Sequence, residues 1–136
     1  MVNKTKILLV DDDVDFIDLN KAVLENQGFE VSSAFSGREA MDKVRFEKPD
    51  LIVLDLMMEK HDSGFIFAKA VKADPLYRNI PILMLTAVAS ETGFDFSQEM
   101  DGYWMKTDDY AAKPLLPDEL IKRVTALLER AKKESE

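Results

Sequence analysis

Two short runs of branched aliphatic residues each end in aspartate: Lys6-Ile7-Leu8-Leu9-Val10 before Asp11-Asp12, and Leu51-Ile52-Val53-Leu54 before Asp55. Runs with almost no polar alternation suit strands covered on both faces, as in a parallel sheet flanked by helices. Carboxylates at the tips of such strands stand where ligands of open α/β sheets gather, and together they attract a divalent cation.

The rest of the chain alternates strand and helix around these runs. Strand one is read as Lys6 to Val10, followed by a helix from about Val14 to Gln27 with Asp13 or Asp15 at its positive end and Gly28 as its stop. Phe29 to Ala34 reads as strand two. Ser36-Gly37-Arg38-Glu39 has the form of a capping box and opens a helix carrying Ala40, Met41, Val44 and Phe46, which ends near Lys48-Pro49. Leu51 to Leu54 is strand three, Phe65 to Ala73 a third helix, Ile80 to Leu85 strand four and Tyr110 to Ala112 a short strand five. Pro117 opens the last helix, with Asp118 and Glu119 in its first turn; residues 131–136 read as a frayed tail.

Five parallel strands with right-handed crossovers give a doubly wound α/β sheet in the order 2-1-3-4-5. One domain over residues 1–136 is the economical reading, its core at about residues 5–130. That order sets strands one and three side by side with connections leaving in opposite directions, so Asp11, Asp12 and Asp55 face one crevice. Thr86 and Lys113, at the ends of strands four and five, reach the same rim.

Composition removes several alternatives. The chain has no cysteine, which excludes disulfides and thiolate metal sites and makes structural zinc improbable. A net charge of -8 argues against direct nucleic-acid binding or docking on anionic lipid. No signal-peptide core opens the chain and no apolar stretch is long enough to span a bilayer, so the expectation is a soluble, cytoplasmic protein whose partners are proteins or phosphorylated molecules.

Three carboxylates, a hydroxyl and an ammonium suit phosphoryl transfer. Magnesium takes one or two protein carboxylates plus phosphate oxygens, and catalysis consists of positioning and charge neutralisation. One carboxylate is then available as a nucleophile, forming an acyl phosphate.

Val10-Asp11-Asp12, Leu54-Asp55-Leu56-Met57-Met58, Met84-Leu85-Thr86-Ala87 and Tyr110-Ala111-Ala112-Lys113-Pro114 together resemble the receiver domain of bacterial response regulators, over nearly all of the chain. The resemblance implies a flavodoxin-like three-layer α/β/α fold. It also implies that Asp55 accepts a phosphoryl group from a phosphohistidine donor, a sensor histidine kinase or histidine phosphotransfer protein. Asp11, Asp12, Asp55 and the backbone carbonyl of Met57 would hold Mg2+, and Lys113 would pair with the phosphoryl oxygens. Thr86 and Tyr110 would act as the switch, and Lys113-Pro114 would be cis. The output is a changed affinity for a downstream protein partner, with a homodimer as one form, and no turnover enzyme is implied. Such a chain reads as a single-domain regulator, a phosphorelay intermediate, or a receiver cut from a larger protein.

Two departures from the family pattern stand out. The loop after Met58 reads Glu59-Lys60-His61-Asp62-Ser63-Gly64, one residue longer than that pattern and without the usual proline, with His61 read as a surface residue. The stretch between Thr86 and Tyr110 is also longer than usual and rich in aromatics. Met57 and Val88, at positions that in this family flank the attacking water, cannot orient it, which suggests a slowly hydrolysed phosphoryl group. A second reading takes Asp11-Asp12-Asp13 as the opening of a haloacid-dehalogenase-like phosphohydrolase, Asp11 as nucleophile and Asp13 as acid/base. A third is a phosphorylation-independent interaction module on the same fold.

Overall fold

The computed structural model describes residues 4–56, 63–86 and 108–134. Its sheet has five parallel strands in the order β2-β1-β3-β4-β5: β1 Lys6–Val10, β2 Glu30–Ala34, β3 Leu51–Asp55, β4 Ile82–Thr86 and β5 Asp109–Ala112. Helices α1 (Val14–Asn26), α2 (Gly37–Glu47) and α3 (Ser63–Ala73) and a C-terminal helix (Pro117–Glu134) cover it.

The two faces are packed by separate clusters, as unbroken aliphatic runs require. Leu8, Val10, Ile52, Leu54, Ile82 and Met84 point to the side of α2 and α3, against Ala40, Val44, Phe67, Ala68 and Val71. Ile7, Leu9, Leu51, Val53, Leu83 and Leu85 point to the other side, against Ile17 and Leu24 of α1 and Leu120, Val124 and Leu127 of the C-terminal helix. All five residues of β3 are buried, so the strand that ends in Asp55 has no face on which to move. Each fully buried Leu or Ile contributes roughly 1.5–3 kcal/mol, which makes the middle of the sheet a rigid mount.

Local sequence explains the element ends. Asp13 caps α1, its Oδ1 accepting from the amides of Asp15 (3.0 Å) and Phe16 (3.3 Å). Gly28, at φ 94°, takes the left-handed turn after α1. The Ser36 hydroxyl accepts from Glu39 N, but the Glu39 carboxylate reaches back to Phe35 N rather than to the amide of Ser36, one residue beyond the expected box. Lys48 closes α2 in the left-handed region at φ 48°.

Three expectations are corrected. Strand four starts at Ile82 because Pro81 has no amide to donate and Ile80 closes a turn on the carbonyl of Tyr77. Helix α3 begins at Ser63, before Phe65. The last helix continues to Glu134 instead of fraying at 131, with Lys132 and Lys133 at its negative end.

Below the sheet's amino-terminal edge, Lys72 and Asp108 form a buried ion pair. The ammonium also donates to the carbonyls of Arg78 and Ile80 (both 3.0 Å), and Asp108 Oδ1 accepts from Ile82 N at 2.9 Å. The pair ties the end of α3 and the head of β4 to the approach to β5. At the same edge strand, Arg123 of the C-terminal helix bonds Asp109 Oδ2 (3.1 Å) and Glu119 Oε1 (3.0 Å).

Candidate functional site: a carboxylate cluster at the strand ends

Asp11 and Asp55 stand just beyond and at the carboxyl ends of the paired strands β1 and β3, because the register sets Val10 against Leu54. Asp11 is fully buried and Asp55 is 6% exposed, while Asp12 is open to solvent. One oxygen from each of the three lies within 4.8 Å of the others. Burial of two acids this close requires compensating charge, and Lys113 supplies it from the turn after β5. Its Nζ donates to Asp11 Oδ2 at 2.7 Å and to Asp55 Oδ2 at 3.3 Å. The other oxygen of Asp11 accepts from Asp13 N at 2.9 Å, so both Asp11 oxygens are held.

Electrostatics follow from this packing. Desolvation, helped by the neighbouring Asp55 charge, pushes the Asp11 carboxyl up to about 6 against the lowering effect of the Lys113 and Asp13 hydrogen bonds. Burial alone would lower the Lys113 ammonium, but the hydrogen bond to Asp11 and the charges of Asp55 and Asp11 outweigh it and the net direction is up. The lysine therefore stays charged.

The donor set fits magnesium. Octahedral coordination at about 2.1 Å sets ligand oxygens roughly 3 Å apart when adjacent and 4 Å when opposite, which three carboxylates within 4.8 Å can meet with small side-chain adjustments.

Thr86 ends β4 in register with Ala112, one residue before Lys113, so strand order brings it to the same rim. Tyr110 pairs with Met84 and is 51% exposed. Lys113-Pro114 is cis. Met57, Met58, Glu59, His61, Val88 and the aromatics of 94–104 lie outside the described residues. Asp13 caps α1 through its Oδ1.

Two contributors carried only weak sequence signals. Phe16 lies in the first turn of α1 and its ring sits 4.4 Å from Lys113 Nζ; it read only as an interior residue of a helix. Gly64 passes so close to the end of β3 that a Cβ there would stand 2.6 Å from both the Asp55 carbonyl oxygen and Leu56 Cα. An isolated glycine at the start of a helical pattern was its one sign.

A doubly wound sheet bearing an acid cluster and a lysine at its switch point defines a class of phosphate-handling α/β domains. Within that class the chain belongs to the response regulator receiver domain family, whose model matches residues 7–125. It is 43% identical over 126 residues to the alkaline phosphatase synthesis transcriptional regulatory protein PhoP of Bacillus subtilis, covering 93% of this chain and 49% of that protein. It is 38% identical over 130 residues to the phosphate regulon transcriptional regulatory protein PhoB of Pseudomonas aeruginosa, covering 96% and 54%. The chain thus spans about half the length of these curated relatives. Among solved structures it resembles the CheY-like response regulator receiver domain protein of Methanospirillum hungatei, with a TM-score of 0.80, 29% identity and coverage of 97% and 99%. The chemotaxis response regulator CheY4 of Vibrio cholerae is also similar, with a TM-score of 0.78, 32% identity and coverage of 92% and 99%. The domain is a two-component receiver. Among the described residues no helix is long and apolar enough to cross a membrane.

Proposed function

We propose that Asp55 accepts a phosphoryl group from a phosphohistidine donor on a sensor histidine kinase or histidine phosphotransfer protein, and that the modified domain changes its affinity for a downstream protein partner. The observation that carries this reading is the convergence of Asp11, Asp12 and Asp55 on Lys113 at the ends of buried strands. An Asp55 oxygen attacks phosphorus, the P–N bond breaks with its electron pair leaving on the imidazole, and an acyl phosphate remains. Asp11, Asp12 and Asp55, with the backbone carbonyl of Met57, would hold magnesium. When bound, that ion neutralises charge on the transferring oxygens. Lys113, already directed at Asp55, follows the oxygens as charge develops, which supports its role as the fixed cation of the site. Thr86 would donate its hydroxyl to the phosphoryl group, and Tyr110 would turn inward from its exposed position as the switch. The domain acts once per phosphorylation and not as a turnover enzyme, and the same reading places it in the cytoplasm, with a homodimer as one form.

The test is intact mass after incubation with acetyl phosphate and magnesium. Wild type is expected to gain roughly 80 Da and Asp55→Asn nothing. No gain in a folded wild-type protein would overturn the phosphoacceptor reading in favour of a phosphorylation-independent module.

A further inference from the structure

Phe16 and Lys113 complete a closed circuit of contacts around the site. Asp13 N donates to Asp11 Oδ1 (2.9 Å), Phe16 N donates to Asp13 Oδ1 (3.3 Å), the Phe16 ring centroid lies 4.4 Å from Lys113 Nζ, and Lys113 returns to Asp11 Oδ2 at 2.7 Å. The cap that starts α1 therefore sets where the ring stands, and the ring stands against the site's lysine. The Lys113 side chain is 21% exposed, so part of its charge has left water and its attraction to an aromatic face is correspondingly stronger.

We propose that Phe16 is a positioning residue for phosphoryl transfer, its ring face holding the Lys113 ammonium in place while an N–H passes from the Asp11 and Asp55 carboxylates to a phosphoryl oxygen on Asp55. This role rests on the phosphoacceptor reading above. A third carboxylate would hold the lysine as well, but it would compete for the N–H that the phosphoryl group needs. An aromatic face attracts the charge without demanding one N–H direction, so the ammonium can turn on its axis without leaving the site. A lysine stem otherwise has considerable rotamer freedom to lose on being fixed, and the ring limits that freedom before the donor arrives. Phe16 also packs at the margin of the core cluster beneath α1, and the test has to separate the ring's charge preference from its bulk.

The experiment measures the initial rate of phosphorylation by phosphoramidate in magnesium buffer, followed by intact mass, for wild type, Phe16→Leu, Phe16→Trp and a protein carrying pentafluorophenylalanine at position 16. Phe16→Leu keeps the apolar bulk and removes the ring; about a fivefold or greater loss of rate is expected, from the strength of a partly desolvated cation–π contact. Phe16→Trp is expected to stay within about twofold of wild type. The fluorinated ring, nearly unchanged in shape but with its quadrupole reversed, is expected to be slow like leucine, and it decides the matter should Phe16→Leu fail to fold. Wild-type rate in Phe16→Leu or in the fluorinated protein, or equal slowing in Phe16→Trp, overturns the proposal. A companion NMR spectrum of the lysine ε-methylenes reads the contact without any phosphorylation: an upfield ring-current shift of Lys113 is expected in wild type and in Asp55→Asn, and its absence from Asp55→Asn overturns the contact. A wild type that shows the shift but takes no phosphoryl group overturns the functional reading, and the positioning role with it.

Discussion

Lys72 Nζ lies 2.8 Å from Asp108 Oδ1 with both side chains only 1% exposed, and the ammonium satisfies its remaining donors on the carbonyls of Arg78 and Ile80. Removing one member of such a pair leaves the other charge buried without its counterion. Lys72→Met is expected to cost about 3–5 kcal/mol of unfolding free energy, measured by urea denaturation. A loss under about 1 kcal/mol would show that Asp108 finds water once its partner is gone.

The same lysine gives a pH dependence of definite sign. Burial lowers the Lys72 pKa below its ordinary 10.5 against the opposing pull of Asp108. Between the folded value and 10.5 the unfolded chain binds more protons, so the Lys72 contribution to stability rises with pH across that window and is smallest below it. Wild type should therefore gain on Lys72→Met between pH 7 and pH 10 in paired denaturation curves. A gap that narrows instead would put the shift in the opposite direction.

Lys113 is the cation that lets Asp11 and Asp55 be buried together. Lys113→Met is expected to lower stability by about 2–4 kcal/mol in metal-free buffer, and its melting temperature should rise more on adding magnesium than wild type's does, because a cation bound only to the folded state stabilises it by mass action. Differential scanning calorimetry at several magnesium concentrations measures both. Equal magnesium responses in the two proteins would separate the metal from the carboxylates that Lys113 neutralises.

Gly64→Ala would drive a methyl group to 2.6 Å from the backbone at the end of β3. Backbone cannot rotate away as a side chain can, so a loss of about 2–3 kcal/mol is expected. Because the shift falls on the peptide that carries Asp55, the variant should also phosphorylate slowly at temperatures where it is fully folded.

Lys48 holds a left-handed conformation at the end of α2, where a side chain is disfavoured by about 1 kcal/mol and glycine is not. Lys48→Gly is expected to raise stability by about 0.5–1 kcal/mol. A neutral or negative result would mean that the added freedom of glycine in the unfolded chain offsets the relieved strain.

The strand order and the acid cluster were legible in the sequence because both rest on pattern. Ile7 to Val10 and Leu51 to Leu54 read as strands buried on two faces, and their terminal aspartates could meet only where two parallel strands are neighbours. Gly28 announced the end of α1 by residue type alone, whereas residue type left its start between Asp13 and Asp15. Less legible were relations that depend on three-dimensional approach. Lys72 and Asp108, 36 positions apart, carry no spacing signal, and each looks like an ordinary surface charge. Phe16 reads as helix interior until its ring is seen beside Lys113.

The contact between Lys113 and Asp11 joins residues 102 positions apart, and that between Lys113 and Asp55 spans 58. A site assembled from such distant stretches has no local precursor: a fragment ending before β5 lacks the cation that lets Asp11 and Asp55 be buried together. The domain therefore becomes competent late and as a whole, so that phosphoryl uptake would report completed folding as much as it reports a signal.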